Sequence, residues 1–384
     1  MHDSASRLLQ LPDACLEEVL RCCADDPRSL FSGARAHSRL HKAAVLAASS
    51  ISVTFSHHQQ PKQQQLVNGL LQYFDLQGQH VSSLLLDKGQ GSSSVTLFEL
   101  PHDKLQGLSS LSLSEFKLQL LPTRMQPDHG VLGAGVALKQ LRLHRCTLLD
   151  KAKGKAFAAV LSALPKLEHL VVDMSHYYVR FPMHALQVQL TYLDLADVKL
   201  LKPDALRHLQ GLTRLQELRL AHIYADPRLD PLQASTVSRM QSLRVLKLHN
   251  TSDFELGVLS ALPSPQHLEL VNCWWPAIRH TPLSELLSHL HSLQLLTCLK
   301  FKHSNFKEDP QPPAEAYAAL TASSNLQYLD ISGCKLPTAA WPHIFQDGRQ
   351  LPHLQVCPRG GSACELFSSE LNQLHTYFYL LLIF

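Results

Sequence analysis

Apolar residues along this chain fall into one short motif that recurs at regular distances. The pattern Leu-x-x-Leu-x-Leu-x-x-(Cys/Asn/Thr) is cleanest at Leu138, Leu141, Leu143, Cys146 and Leu148, at Leu190, Leu193, Leu195, Val198 and Leu200, and at Leu326, Leu329, Ile331, Cys334 and Leu336. Close copies are anchored at Leu108, Leu111 and Leu113, at Leu167, Leu170 and Val172, at Leu215, Leu218 and Leu220, at Leu243, Leu246 and Leu248, and at Leu296, Leu299 and Phe301. Weaker ones lie at Val81, Leu84 and Leu86, at Leu268 and Leu270 before Cys273, and at Leu351, Leu354 and Val356. Second apolar positions of these eleven copies are 22 to 31 residues apart, the range of a stacked-repeat architecture. Within each copy the side chains alternate, as in Leu141-Arg142-Leu143, which predicts a strand with one buried and one outward face. Helical spacing between strands is found at Lys155 to Leu164, Asp204 to Leu209, Leu283 to Leu290 and Ala314 to Leu320. One strand and one helix per unit, stacked on its neighbours, bury a continuous core that no single unit can make.

Several positions refine this picture. Cys146, Cys273 and Cys334 stand at the turn that ends a strand, where a thiol reads as a structural group bonded to backbone rather than as a nucleophile. The turn-rich stretches Gln126 to Gly135 and Glu308 to Pro313 predict surface loops. Pro263-Ser264-Pro265 places a proline where that repeat would carry its first leucine, which predicts an irregular seam there.

Residues 81 to 357, close to three quarters of the chain, resemble the leucine-rich repeat family. The resemblance implies an α/β fold, a curved solenoid of about eleven strand–helix repeats, whose concave face is a surface for a protein partner. That face consists of the strand residues that alternate with the core leucines. Its candidates are Arg142, His144, Tyr192, Asp194, Arg219, Lys247, Glu269, Lys300, Tyr328 and Asp330, with His169, Glu217, His249, His267 and His353 beside them. Mixed charge with tyrosine and histidine suits protein recognition better than a phosphate-binding stripe.

Residues 8 to 48 do not fit the repeat. Leu16, Val19, Leu20 and Cys23 make an i, i+3, i+4, i+7 stripe and predict a first helix; Asp26 before Pro27 predicts the start of a second carrying Leu30, Phe31 and Ala34; a third is expected from about His37 to Ala48. The Leu11-Pro12 opening, the Leu16, Val19, Leu20 stripe, the Asp26-Pro27-x-x-Leu30 second start and the basic third helix with Arg35 and Arg39 resemble the F-box. Leu40 stands where that family usually has a tryptophan. The resemblance implies a three-helix module that docks onto a Skp-type adaptor of a cullin ubiquitin ligase through Leu11, Pro12, Leu16, Val19, Leu20, Pro27 and Leu30, while the repeats hold the substrate. The alternative is that these helices only cap the first repeat. Residues 49 to 80, with the polar run His57 to Gln65, read as a linker and N-terminal cap, and 358 to 384 as a C-terminal capping segment or tail.

Composition narrows function by exclusion. Net charge is +3 with histidine neutral, too near balance to argue for a nucleic-acid or membrane partner. Nine cysteines, scattered singly apart from Cys22-Cys23, form neither a disulfide framework nor a zinc motif, and no secretory-length apolar stretch follows Met1, so a reducing cytoplasmic or nuclear setting is expected. Leu374 to Phe384 would cover about 16 Å as a helix, half of a bilayer core, and is expected to pack against the last repeats. Phosphate loops, zinc helices and nucleophile elbows are missing from the sequence, and His37 with His41 finds no third ligand, so neither an enzyme nor a cofactor is expected. The expected function is a protein-interaction adaptor serving a ligase, or alternatively a scaffold in a cytoskeletal or ciliary axonemal assembly.

Overall fold

The computed structural model describes residues 10–22, 38–47, 50–54, 70, 72, 74, 78–88, 106–118, 137–148, 155–174, 179–200, 204–225, 231–251, 254–273, 283–302, 312–334, 336–345 and 353–355. Two helices, α1 (Asp13–Cys22) and α2 (Ser38–Ala47), precede the strands. These are β1 (Ser50–Thr54), β2 (Ser83–Asp87), β3 (Ser110–Ser114), β4 (Lys117–Leu118), β5 (Gln140–His144), β6 (Thr147–Leu148), β7 (His169–Asp173), β8 (Val179–Arg180) and β9 (Tyr192–Ala196). Then come β10 (Val198–Leu200), β11 (Glu217–Ala221), β12 (Tyr224–Ala225), β13 (Val245–His249), β14 (His267–Val271), β15 (Cys298–Lys302), β16 (Tyr328–Asp330) and β17 (His353–Gln355). The chain divides into two compact units, the first Met1–His208 with Ile223–Arg228 and the second Leu209–His222 with Leu229–Phe384.

In the first unit β1, β2, β3, β5, β7 and β9 pair in that order, all parallel and with residue-for-residue register. Register aligns Leu84, Leu111, Leu141, Leu170 and Leu193 in one row and Leu86, Leu113, Leu143, Val172 and Leu195 in the next, all buried. Each such side chain contributes about 1.5–3 kcal/mol by leaving water, so the two rows are the spine of the unit. The second unit repeats the design over β11, β13, β14, β15, β16 and β17. There the buried rows run Leu218, Leu246, Leu268, Leu299 and Leu329, and Leu220, Leu248, Leu270 and Phe301. This open, parallel α/β sheet of short strands, with helical segments returning the chain between them, is the leucine-rich-repeat architecture that the motif predicts.

Strands end in one recurring turn. Glu115, Arg145, Asp197, His222, Asn250, Asn272 and Gly333 all take left-handed backbone, with φ between 47° and 73°. The turn's amide continues the sheet ladder one residue further. Glu115 N donates to His144 O at 2.8 Å, Arg145 N to Asp173 O at 2.6 Å, Asn250 N to Val271 O at 2.8 Å and Asn272 N to Lys302 O at 3.0 Å. Left-handed backbone costs an ordinary L-residue roughly 1–2 kcal/mol, and the ladder bonds, together with burial of the next residue, hold it there.

Three sequence expectations are corrected. The first sheet begins at β1, one strand ahead of the first motif copy and inside the segment read as linker and N-terminal cap, because Ile51 and Val53 are buried and pair in register with Leu84 and Leu86. Of the four helical stretches, Lys155–Ser162 and Leu283–His291 are α-helices, whereas Ala205–Gly211 and Ala314–Thr321 wind as 3₁₀-helices. The 3₁₀ form rises about 2.0 Å per residue and so returns the chain over the same distance with fewer residues. The seam at Pro263-Ser264-Pro265 is regular: Pro265 is buried in the leucine position, and β13 and β14 keep full five-residue register. The Asp26-Pro27 helix with Pro27 and Leu30, the loop Gln126 to Gly135, the run His57 to Gln65 and the apolar end Tyr377 to Phe384 lie outside the described residues.

Gly107 makes one close approach that tests this packing. A Cβ at this position would meet the Gln79 carbonyl oxygen at 2.7 Å. Gly107→Ala is therefore expected to destabilise the first unit by about 1–3 kcal/mol, read as a lower urea midpoint, although residue 107 is itself exposed.

Candidate functional site

Alternation sets positions one, three and five of the five-residue strands on the side opposite the leucine rows. In the first unit, β1 to β3 present Ser50, Ser52, Thr54, Ser83, Leu85, Asp87, Ser110, Ser112 and Ser114. Leu85 is 41% exposed at the centre of these small hydroxyl groups. Apart from Asp87, charge begins at β5, followed by aromatic rings from β7 on. Arg142 and His144 are exposed; His144 Nδ1 lies 2.7 Å from Asp173 Oδ2 on the neighbouring strand. Tyr192 stacks on His169 with ring centroids 5.7 Å apart and donates its hydroxyl to Asp194 Oδ2 at 3.3 Å.

The second unit carries the densest polar network. Glu217 Oε1 lies 2.6 Å from Arg219 Nε and 3.4 Å from Lys247 Nζ. Glu269 is surrounded by His249 at 3.0 Å, His267 at 3.4 Å and Lys300 at 3.4 Å. Lys300 Nζ also sits 5.6 Å from the Tyr328 ring centroid, a cation–π distance. Asp330 Oδ2 is 2.6 Å from Lys302 Nζ, and its Oδ1 accepts from the Ser332 amide and hydroxyl. Burial works against the charge of Glu269, yet hydrogen bonds from His249 and His267 and the nearby Lys300 hold its carboxyl far below the usual carboxylate range. Asp330 follows the same logic: burial opposes ionisation, while Lys302 and the Ser332 donors outweigh it.

These positions refine the expected contact surface. Arg142, His144, Tyr192, Asp194, Arg219, Lys247, Lys300 and Tyr328 do face outward on their strands. Asp330, in contrast, is 0% exposed and holds the following turn, so it is an internal anchor. Glu269 is buried at the hub of three cationic or imidazole groups, and it organises the face without being a contact on it. Lys302 and Asp173 were not read from the sequence, although their fifth position on β15 and β7 marks them as outward by the same alternation.

In the N-terminal module α1 packs against α2, with Leu16, Leu20, Leu40, Ala43 and Ala44 buried. Leu16 and Leu20 are thus spent on internal packing, and the stripe's outward member is Val19, 40% exposed. Arg39 fixes the start of α1: its Nη2 donates to the Leu11 carbonyl at 2.9 Å and lies 2.6 Å from Asp13 Oδ1. The Arg39 hydrogen bond holds the Asp13 carboxyl below its ordinary value.

The turn cysteines behave as structural groups. Cys146 Sγ donates to Leu113 O at 3.2 Å, Cys273 Sγ to Leu248 O at 3.3 Å and Cys334 Sγ to Phe301 O at 2.8 Å, each bond tying a turn to the preceding strand. Burial pushes the Cys146 and Cys273 thiols up to about 12. Native protein treated with iodoacetamide near pH 8 is expected to be alkylated at the exposed Cys15 and Cys22 and protected at Cys146 and Cys273, as mapped by peptide mass spectrometry. Among the described residues no group of three or more His, Cys, Asp or Glu is arranged to hold a metal ion, and no helix is long and apolar enough to cross a membrane.

No family model and no curated protein sequence matches the chain. Among solved structures, the crystal structure of an internalin (inlF) from Listeria monocytogenes str. 4b F2365 is similar, with a TM-score of 0.47 and 16% sequence identity over 77% of this chain and 88% of that one. Likeness at that level assigns neither a family nor a function. The register of the leucine rows described above carries the fold.

Proposed function

We propose that this chain is a protein-interaction adaptor that captures a partner protein on the outward face of its parallel sheet. One observation carries the reading: strand after strand sets polar, charged and aromatic side chains in register over buried leucine rows. Such rows are preorganised, so a partner meets them without the cost of ordering a loop. In its finer form the reading makes the chain the substrate-recognition subunit of a cullin-type ubiquitin ligase in the cytoplasm or nucleus. The F-box-like helices then engage a Skp-type adaptor through Leu11, Pro12 and Val19, together with Pro27 and Leu30. Support for this comes from the Arg39 clamp, which presents the Leu11-Pro12 corner, and from the outward Val19.

The test is cross-linking mass spectrometry on the tagged full-length chain recovered from cells. Wild type is expected to recover a Skp-type adaptor through α1 and a second protein through the sheet face. Pro12→Ala with Val19→Asp should reduce adaptor recovery by on the order of tenfold while leaving the second protein bound. Complexes on the sheet face without any adaptor would replace the ligase reading by a cytoskeletal or ciliary scaffold. Absence of cross-links from the sheet face would overturn both.

A further inference from the structure

We infer that the sheet face of the second unit takes an extended acidic segment of a partner protein; the inference rests on reading that face as the capture surface. Its charges are layered. At the first, third and fifth positions of β11, β13, β14, β15 and β16 stand four cations, Arg219, Lys247, Lys300 and Lys302, and three carboxylates, Glu217, Glu269 and Asp330. The deepest groups are acidic: Glu269 and Asp330 side chains are 11% and 0% exposed, whereas those of Arg219, Lys300 and Lys302 are 37%, 27% and 30% exposed. Glu217 at 22% and Lys247 at 16% form the one pair of comparable depth. His249 and His267 close the remaining sides of Glu269, so its charge is satisfied from within. An approaching ligand therefore meets Arg219, Lys300 and Lys302 held in place from beneath by carboxylates, with Lys247 beside Glu217 at nearly the same depth. Donors prearranged in this way favour anions without first having to be ordered.

Spacing favours discrete carboxylates on an extended chain. Lys247 and Lys300 occupy equivalent positions two strands apart, on either side of Glu269 in the register. Two strand spacings come to about 9.6 Å, and one three-residue turn of a polyproline II chain to about 9.3 Å, so acidic residues at every third position of such a segment crossing the strands face the same way and match the two ammonium groups. Lys300 is further steadied over the Tyr328 ring. A nucleic acid fits less well, because its phosphates form an unbroken line that would run over Glu217 and Glu269 as well as the cations.

The experiment measures binding of the full-length chain to three fluorescent probes by anisotropy at low salt. The probes are a short peptide with glutamate at every third position, its glutamine counterpart, and a single-stranded DNA. The glutamate peptide should bind at least tenfold more tightly than the glutamine peptide and more tightly than the DNA, and added salt should weaken it. Lys247→Gln with Lys300→Gln, which keeps the side-chain stems, should lose on the order of tenfold in affinity at an unchanged circular dichroism spectrum. Arg239→Gln, in the turn after the helix Ala234–Val237, should bind like wild type. Equal binding of the glutamate and glutamine peptides, no binding of either, tighter binding of the DNA, or an unaffected double variant would each overturn the inference. If the peptide fails while cross-links from the sheet face to a partner persist, the acidic chemistry falls alone; if the cross-links are also missing, the capture surface falls with it.

Discussion

Replacing Phe157 by alanine is expected to lower the stability of the first unit by about 3–5 kcal/mol, the cost of emptying a large buried site. Phe157 lies on the helix Lys155–Ser162 and is 1% exposed. Its ring meets Phe181 edge-on, with centroids 5.8 Å apart and planes at 77°, a geometry that adds about 0.5–1.5 kcal/mol beyond burial. The hole cannot close cheaply, because the strands of the sheet are fixed in register and do not shift to fill it. Phe157→Leu, which restores most of the volume, should cost less than about 1.5 kcal/mol. Urea unfolding followed by circular dichroism compares the two. In a stacked-repeat fold each unit contacts mainly its neighbours, so hydrogen exchange should speed up in β7 and the helix of residue 157 before it does in β14. A loss under about 1 kcal/mol, or exchange that rises equally in both units, would show that this aromatic pair does not anchor the repeat.

The same periodic logic explains what was legible from residues alone. Leu141 and Leu143 predicted strand, register and burial together, because a side-chain period of two leaves one way to bury a row in a parallel stack. Cys146, Cys273 and Cys334 announced their turn by type and place. β1 was missed because Ile51 and Val53 are a bare alternation without the leucines that mark the later strands. The left-handed turns were partly legible: Asn250, Asn272, Gly333, Asp197 and His222 are residue types that favour such backbone, while Glu115 and Arg145 hold it because the ladder bonds hold them. Asp330 was misplaced for a geometric reason. Its strand is only three residues long and stops at 330, and the Ser332 amide and hydroxyl in the turn that follows both donate to the carboxylate, drawing it inward. Depth within the face likewise depends on neighbours from other repeats, and a single motif copy does not contain them.

Lys302→Ala is expected to cost about 3 kcal/mol near pH 7, the lower end for breaking a buried pair, since its partner cannot reach water. The Asp330 side chain is 0% exposed, while Lys302 is 30% exposed and can swing outward. The two single variants should therefore differ. Asp330→Asn leaves an amide oxygen to accept from Ser332 and a lysine that solvent can receive, and should cost only about 1 kcal/mol. The double variant should fall near Asp330→Asn alone, because the stranded charge, rather than the missing attraction, is the larger cost. Acidity gives an independent check on sign. Asp330 has its folded pKa below the ordinary 3.8, so its contribution is complete above 3.8 and fades as pH falls through the folded value. The Asp330 hydrogen bond raises Lys302 above its ordinary 10.5, so that contribution is complete below 10.5 and fades as pH climbs through the folded value. Without Lys302 the buried carboxyl takes up a proton more readily, and the gap between wild type and Lys302→Ala should narrow as pH drops below about 4. A gap that is constant from pH 7 to pH 3, or equal losses in the two single variants, would mean that the lysine stem rather than its charge supports this turn.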